Sequence, residues 1–183
     1  MATIGIVLGT NRREGNTAKV VSHLDAIYRA LGQPTQIIDL SQLPPEIFSS
    51  SSYAEKPAGF QPFAEAVSQC AGLHVVTPEY NGGVPGILKY FIDMLKFPES
   101  LQKKPACFTG LSTGDGGGLR SVGQLQAIFI YRKAYLFPES VLIPLIGNLL
   151  TPEGRIGNDK VLAELRGQAE DFIGFVKLLT GSE

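Results

Sequence analysis

Three short stretches hold most of the residues able to grip a ligand. The first, Gly9-Thr10-Asn11-Arg12-Arg13-Glu14-Gly15-Asn16-Thr17, sets hydroxyls, amides and glycines just before a helical pattern. Such a stretch offers N–H and O–H donors to a phosphate, the helix dipole adds attraction, and Arg12 adds a charge-assisted, bidentate contact. A capped helix explains Asn16 or Thr17 as N-cap but leaves Thr10 and Arg12 unexplained. The second, Thr77-Pro78-Glu79-Tyr80-Asn81-Gly82-Gly83-Val84-Pro85, brackets two glycines with prolines. The backbone must turn there and leave bare N–H groups beside an aromatic ring, which suits a flat heteroaromatic; a tight turn into a helix with Pro85 at its first position is the plainer reading. The third, Ser112-Thr113-Gly114-Asp115-Gly116-Gly117-Gly118, combines two hydroxyls with glycines that admit close backbone approach, or is simply a flexible loop.

No other chemistry competes with this. Neither a G-x-G-x-x-G nor a G-x-x-x-x-G-K-[ST] run is present. His23 and His74 stand alone, one on a predicted helix and one in a predicted core strand, where structural or solvated roles are expected. Cys70 and Cys107, both within apolar segments, build neither a disulfide framework nor a metal site, and they fit a reducing, cytoplasmic setting.

The elements that must position these stretches alternate in type. Short apolar runs at Thr3–Leu8, Thr35–Asp39, Leu73–Thr77, Ala106–Leu111 and Tyr135–Pro144 are each followed by an amphipathic segment: Asn16–Leu31, Pro62–Ala71, Pro85–Phe97, Leu119–Arg132 and Asp159–Leu179. Strand then helix, five times, predicts a doubly wound α/β parallel sheet. The almost wholly apolar Thr3–Leu8 and Leu73–Thr77 are its expected central strands. In a parallel sheet the segments after the strands all emerge at the carboxyl edge, where ligands of open α/β sheets bind, so the three stretches converge. Ser41–Gly59, with three prolines and a serine run, reads as a long loop that is functional or merely solvated.

With 183 residues and 44% apolar content the chain predicts one domain, 1–183. Sixteen Lys+Arg against 17 Asp+Glu, without a basic block, argue against nucleic acid or an anionic membrane as the main partner. The apolar run Ile4–Leu8 is too short to span a membrane and precedes Arg12-Arg13, the reverse of a signal peptide's order.

At the three stretches the sequence resembles the NAD(P)H-dependent FMN reductase family, a flavodoxin-like group that includes chromate, quinone and azo-dye reductases. Gly9-Thr10-Asn11-Arg12 is similar to the family's G-S-x-R phosphate loop, with threonine keeping the hydroxyl. Pro78-Glu79-Tyr80-Asn81, with Pro85-Gly86-Ile87-Leu88-Lys89 and Asp93, is similar to its P-E-Y-N…P-G-x-L-K-N-x-x-D segment, departing at Tyr90 and Met94. The resemblance implies a five-stranded sheet of order 2-1-3-4-5 binding FMN non-covalently. Thr10, Arg12, Asn16 and Thr17 would hold the phosphate. Pro78, Glu79 (through its backbone), Tyr80, Asn81 and Gly82 would line the ring, with Ser112, Gly114 and Gly116 at its other edge. It further implies hydride transfer from NAD(P)H to the flavin and electron transfer to a small acceptor such as free flavin or a quinone. A chromate or azo reductase with the same site, and a flavodoxin-type carrier without nicotinamide turnover, are the alternatives. The cofactor carries the chemistry, so no catalytic dyad is needed.

Along Pro85–Phe97, side chains turning by about 100° form an apolar arc of roughly 220°, wider than packing on one sheet face needs. A homodimer or homotetramer through Tyr90, Met94 and Phe97 is therefore expected; cover by the Ser41–Gly59 loop is the alternative.

Overall fold

A computed structural model describes residues 2–181. Five parallel strands, β1 (Ile4–Leu8), β2 (Thr35–Asp39), β3 (Gly72–Pro78), β4 (Pro105–Leu111) and β5 (Tyr135–Ile143), lie in the order β2-β1-β3-β4-β5. Helices α1 (Asn16–Ala30), α2 (Gln61–Gln69), α3 (Gly86–Met94), α4 (Leu119–Tyr131) and α5 (Asp159–Thr180) connect and flank them. This is the flavodoxin-like arrangement expected from the sequence.

Every residue of β1, β3 and β4 is buried, whereas β2 and β5 show exposed positions, as edge strands do. Alternation along the strands splits the hydrocarbon in two. Val7, Leu73, Val75 and Phe108 pack with α2, α3 and α4, while Ile4, Ile6, Leu8 and Val76 pack with α1 and α5. The switch from β1–β2 to β1–β3 pairing opens a crevice at the carboxyl ends of β1 and β3.

Two sequence expectations are corrected. The helix predicted over 85–97 stops at Met94, and Leu95 is already extended (φ −70°, ψ 140°). Pro98 disfavours helix at Phe97, and Arg132 ends the helix by donating to the carbonyls of Ile92, Leu95 and Lys96 at 2.8–3.2 Å. Met94 is 1% exposed within the molecule's own core, so it cannot meet a second subunit. The loop after β2 is not formless: it makes 3-10 turns at 40–42, 45–48, 50–53 and 58–60 and buries Ile47 and Phe60. Phe48 and Tyr53 from this loop lie 4.9 and 6.1 Å from the Tyr90 ring, so the loop covers Tyr90. Only Phe97 of the expected trio stays exposed, stacked on Tyr131 at 5.6 Å.

Candidate cofactor-binding site

The first loop leaves β1 tightly held. Gly9 N–H donates to the Val76 carbonyl at 2.9 Å, and a Cβ on Gly9 would lie 2.6 Å from that oxygen, so glycine is required. Thr10 is fully buried; its Oγ1 accepts from Arg12 N–H at 3.2 Å and shares a 2.8 Å hydrogen bond with the Tyr80 hydroxyl. Thr10 thus ties the first loop to the second. The N-cap of α1 is Gly15, not Asn16 or Thr17; no side chain caps it, and its first turn holds no acidic residue. A helix start leaves its first N–H groups without intrahelical acceptors.

The second loop is closed by its own turn chemistry. Tyr80 and Gly83 exchange N–H···O bonds of 3.0 Å, with Asn81 (φ 50°) and Gly82 (φ 74°) both left-handed between them. Asn-Gly suits such a turn because both residues tolerate positive φ. Glu79 N–H donates to the Leu111 carbonyl at 3.1 Å, so its backbone donor is already used. Its carboxylate instead accepts from Arg120 N–H at 3.1 Å and Arg120 Nη1 at 2.7 Å, capping the start of α4. Gln124, one turn further on, accepts from Val84 N–H at 2.9 Å. Helix α4 therefore holds the second loop at both ends.

The third loop is fixed from a side the sequence did not signal. Ser112 Oγ donates to the Gly114 carbonyl at 2.7 Å, and the segment after β5 closes over it, Leu145 N–H donating to Gly114 O and Ile146 N–H to Ser112 O, both at 3.1 Å. Gly117 and Gly118 have φ of 58° and 86°; a Cβ on Gly118 would sit 2.5 Å from Leu111 N. These two glycines serve the close β4–α4 turn, whereas Gly114 faces open space.

The loops meet around a cavity of about 180 Å³ lined by Arg12, Gly15, Asn16 and Thr17, by Pro78, Glu79 and Tyr80, by Leu111, Ser112 and Thr113, and by Ile146. Among the expected residues, Thr10 lies just below, and Asn81, Gly82, Gly114 and Gly116 do not line it. Ile146 was missed because no motif surrounds it, and Arg120 and Gln124 because they read as ordinary polar residues of an amphipathic helix. The Arg12 guanidinium lies 4.8 Å from the Tyr80 ring centroid, a cation–π distance. Pockets that swallow a drug-sized ligand run to roughly 300–1,000 Å³. This cavity can enclose a phosphate and the chain beside it, while a flat ring system would remain accessible. An uncapped helix start, a guanidinium and apolar walls between loops fit a flavin nucleotide bound phosphate-end inward.

Both histidines lie away from this cavity. His74 is fully buried, with Nδ1 2.8 Å from the Tyr28 hydroxyl and Nε2 2.8 Å from Thr109 Oγ1. The direction of this chain is determined: Gln168 Nε2 donates to the Phe108 and Glu139 carbonyls, so Gln168 Oε1 must accept from Thr109. Thr109 then accepts from His74 Nε2–H, and His74 Nδ1 accepts from Tyr28. Burial lowers His74 to a pKa of about 3, so the ring is neutral. His23 Nε2 accepts from Ile156 N–H at 2.9 Å and is lowered by burial and by Arg155. Among the described residues no group of acidic, histidine or cysteine side chains could hold a metal ion, and no helix is long and apolar enough to cross a membrane.

Comparison with known proteins gives this geometry its context. The chain is 29% identical over 177 residues to a quinone reductase of Escherichia coli (strain K12), covering 93% of each protein. It is 28% identical over 157 residues to an NAD(P)H-dependent FMN reductase of Pseudomonas aeruginosa, covering 82% of each. The fold matches that of FerB, a flavoenzyme NAD(P)H:(acceptor) oxidoreductase from Paracoccus denitrificans, with a TM-score of 0.79 at 19% identity over 97% of this chain and 98% of that one. An archaeal flavodoxin matches with a TM-score of 0.65 at 14% identity, over 97% and 99% of the two chains. The family description "NADPH-dependent FMN reductase" fits residues 2–147. This match across most of the chain identifies a flavoenzyme that uses FMN and NAD(P)H, and the chain belongs to the NADPH-dependent FMN reductase family.

Proposed function

We propose that residues 1–183 act as one FMN-binding domain, with the FMN phosphate at the α1 N-terminus and the ring between Pro78–Gly83 and Ser112–Gly117. The observation that carries this placement is the helix start with no side-chain cap and no acidic first turn, beside Arg12, on a cavity shared with Pro78, Tyr80 and Ser112. Bound FMN supplies the chemistry, taking a hydride from the nicotinamide and passing electrons to a second substrate. The chain's residues bind and orient it. Asn16 and Thr17 offer N–H groups and Arg12 a guanidinium to the phosphate. Thr10 keeps Tyr80 in register with the first loop. Glu79, held by Arg120, fixes the turn under the ring.

The acceptor we favour is a small planar oxidant, free flavin or a quinone, because a ring left accessible at the mouth of so small a cavity can be stacked on by a flat molecule. The direct test is the visible spectrum of purified protein with FMN, before and after anaerobic NADPH. Flavin peaks that vanish on reduction support the reading; a protein that stays colourless with added FMN would sink it, and flavin that NADPH and NADH fail to bleach would favour a carrier. Rates with FMN, a quinone and chromate rank the acceptors.

Assembly as at least a dimer now rests on the exposed Phe97–Tyr131 stack, since Met94 is buried and Tyr90 is half-buried against Phe48 and Tyr53. Sedimentation at micromolar concentration returning a single species of 19.7 kDa would end that proposal. A cytoplasmic location is supported by two unpaired, buried cysteines.

A further inference from the structure

Arg120 stands where the two ring-side loops meet. Its backbone N–H and Nη1 both go to the Glu79 carboxylate. Its Cδ lies 3.7 Å from where a Cβ on Gly82 would be, and its Nη1 3.4 Å from where one on Gly116 would be. The side chain therefore bridges the second and third loops. The Glu79 side chain is 9% exposed and that of Arg120 66%, so the pair is anchored at its base and open at its top. A guanidinium carries five N–H donors; among the described residues only Nη1 is engaged, leaving Nε and Nη2 without a partner.

A nicotinamide dinucleotide brings phosphate charge to the ring, and the chain has no glycine fingerprint to receive it. Its net charge of −1 gives no general attraction for an anion, so a local cation must supply it. Arg13, next to Arg12 in the first loop, is exposed and among the described residues has no residue holding it in place. Arg120 is both free to bind and already oriented, which lowers the entropy lost on binding.

We propose that Arg120 is a specificity residue that binds negative charge on the molecule meeting the ring, foremost a phosphate of the nicotinamide donor. This rests on the ring placement proposed above. An anionic acceptor offers the same chemistry, and kinetics separate the two sources. Arg120→Gln keeps the backbone N–H to Glu79 and a polar side chain but removes the charge and the outer end of the fork. In flavin-replete R120Q the KM for NADPH and NADH rises about tenfold with kcat within about twofold of wild type, the signature of lost ground-state binding. The KM for 1,4-benzoquinone stays unchanged, and R120K recovers part of the loss. A rise confined to an anionic naphthoquinone sulfonate assigns the charge to the acceptor.

Unchanged KM for both donors and for the sulfonate overturns the proposal, as does a fall in kcat at constant KM, which marks a structural role. Should R120Q fail to retain FMN, a salt series on the wild-type enzyme decides: a donor KM that does not move between about 50 and about 500 mM salt is incompatible with an exposed charge pair. Colourless wild-type protein in the presence of FMN sinks the site reading itself, whereas flavin-replete R120Q with normal kinetics removes Arg120 alone.

Discussion

The two ends of the cavity spend their hydrogen bonds differently. At its α1 end, the helix begins without a side-chain cap and keeps donors in hand. At its α4 end nearly everything is engaged: Glu79 with Leu111 and Arg120, Tyr80 with Gly83, Val84 with Gln124, Ser112 with Gly114. One end is built to bind through unsatisfied polar groups, the other to hold a shape. Affinity for the nucleotide should thus reside at α1 and geometry of the ring seat at α4, and the contrast can be tested from its largest expected effect downward.

Acid should fail both ends together, because His74 lies in the sheet they share. Its ordinary value is 6.5 and burial holds it at about 3 in the folded chain. Between those values the unfolded chain takes up a proton that the folded chain refuses. Stability is therefore full above pH 6.5 and falls as pH drops toward 3, by up to about 5 kcal/mol. Urea midpoints at stepped pH read this directly, and His74→Gln should flatten the slope. Next in size, Gly118→Ala forces a Cβ to 2.5 Å from Leu111 N at φ 86°. It should cost about 3 kcal/mol in chemical denaturation, locating the ring end's requirement in backbone shape.

Arg12→Ala should weaken FMN binding by about 2 kcal/mol, roughly thirtyfold, without changing the urea midpoint of the flavin-free protein. Titration against flavin fluorescence measures it, and an equal loss of folding stability would break the contrast. Smallest, Glu79→Gln should cost about 1 kcal/mol of stability, since its partner Arg120 is largely in water. FMN affinity should barely move while donor kinetics do.

The strands and nearly all helix bounds were legible because apolar runs and helical periodicity are local properties, whereas the strand order came only with the family resemblance. Thr35–Asp39 is read to the residue. The cavity was legible where turn chemistry is local too, as in Pro78-Glu79-Tyr80-Asn81. Contacts carried by distant partners were not: Arg120 meets Glu79 across 41 positions, and Ile146 reaches the third loop from beyond β5. The wide apolar arc on α3 was seen correctly, and at Tyr90 the loop named as the alternative cover lies against it. A helical wheel cannot show that Phe48 and Tyr53 return to Tyr90, nor that Arg132 ends the helix before Phe97.

The one-way chain from Tyr28 through His74 and Thr109 to Gln168 also bears on how the sheet assembles. A slip of β3 by one residue would turn His74 to the face where Leu73 and Val75 now meet hydrocarbon from α2 and α3. Tyr28 and Thr109 would each lose a partner and His74 would lose both of its own in the dry interior, at about 1–3 kcal/mol per orphaned group. Hydrocarbon neighbours accept many alignments, whereas these four groups, drawn from α1, β3, β4 and α5, are satisfied together in only one. They act as a key for strand registration, and the crevice that receives the cofactor inherits its shape from that single alignment.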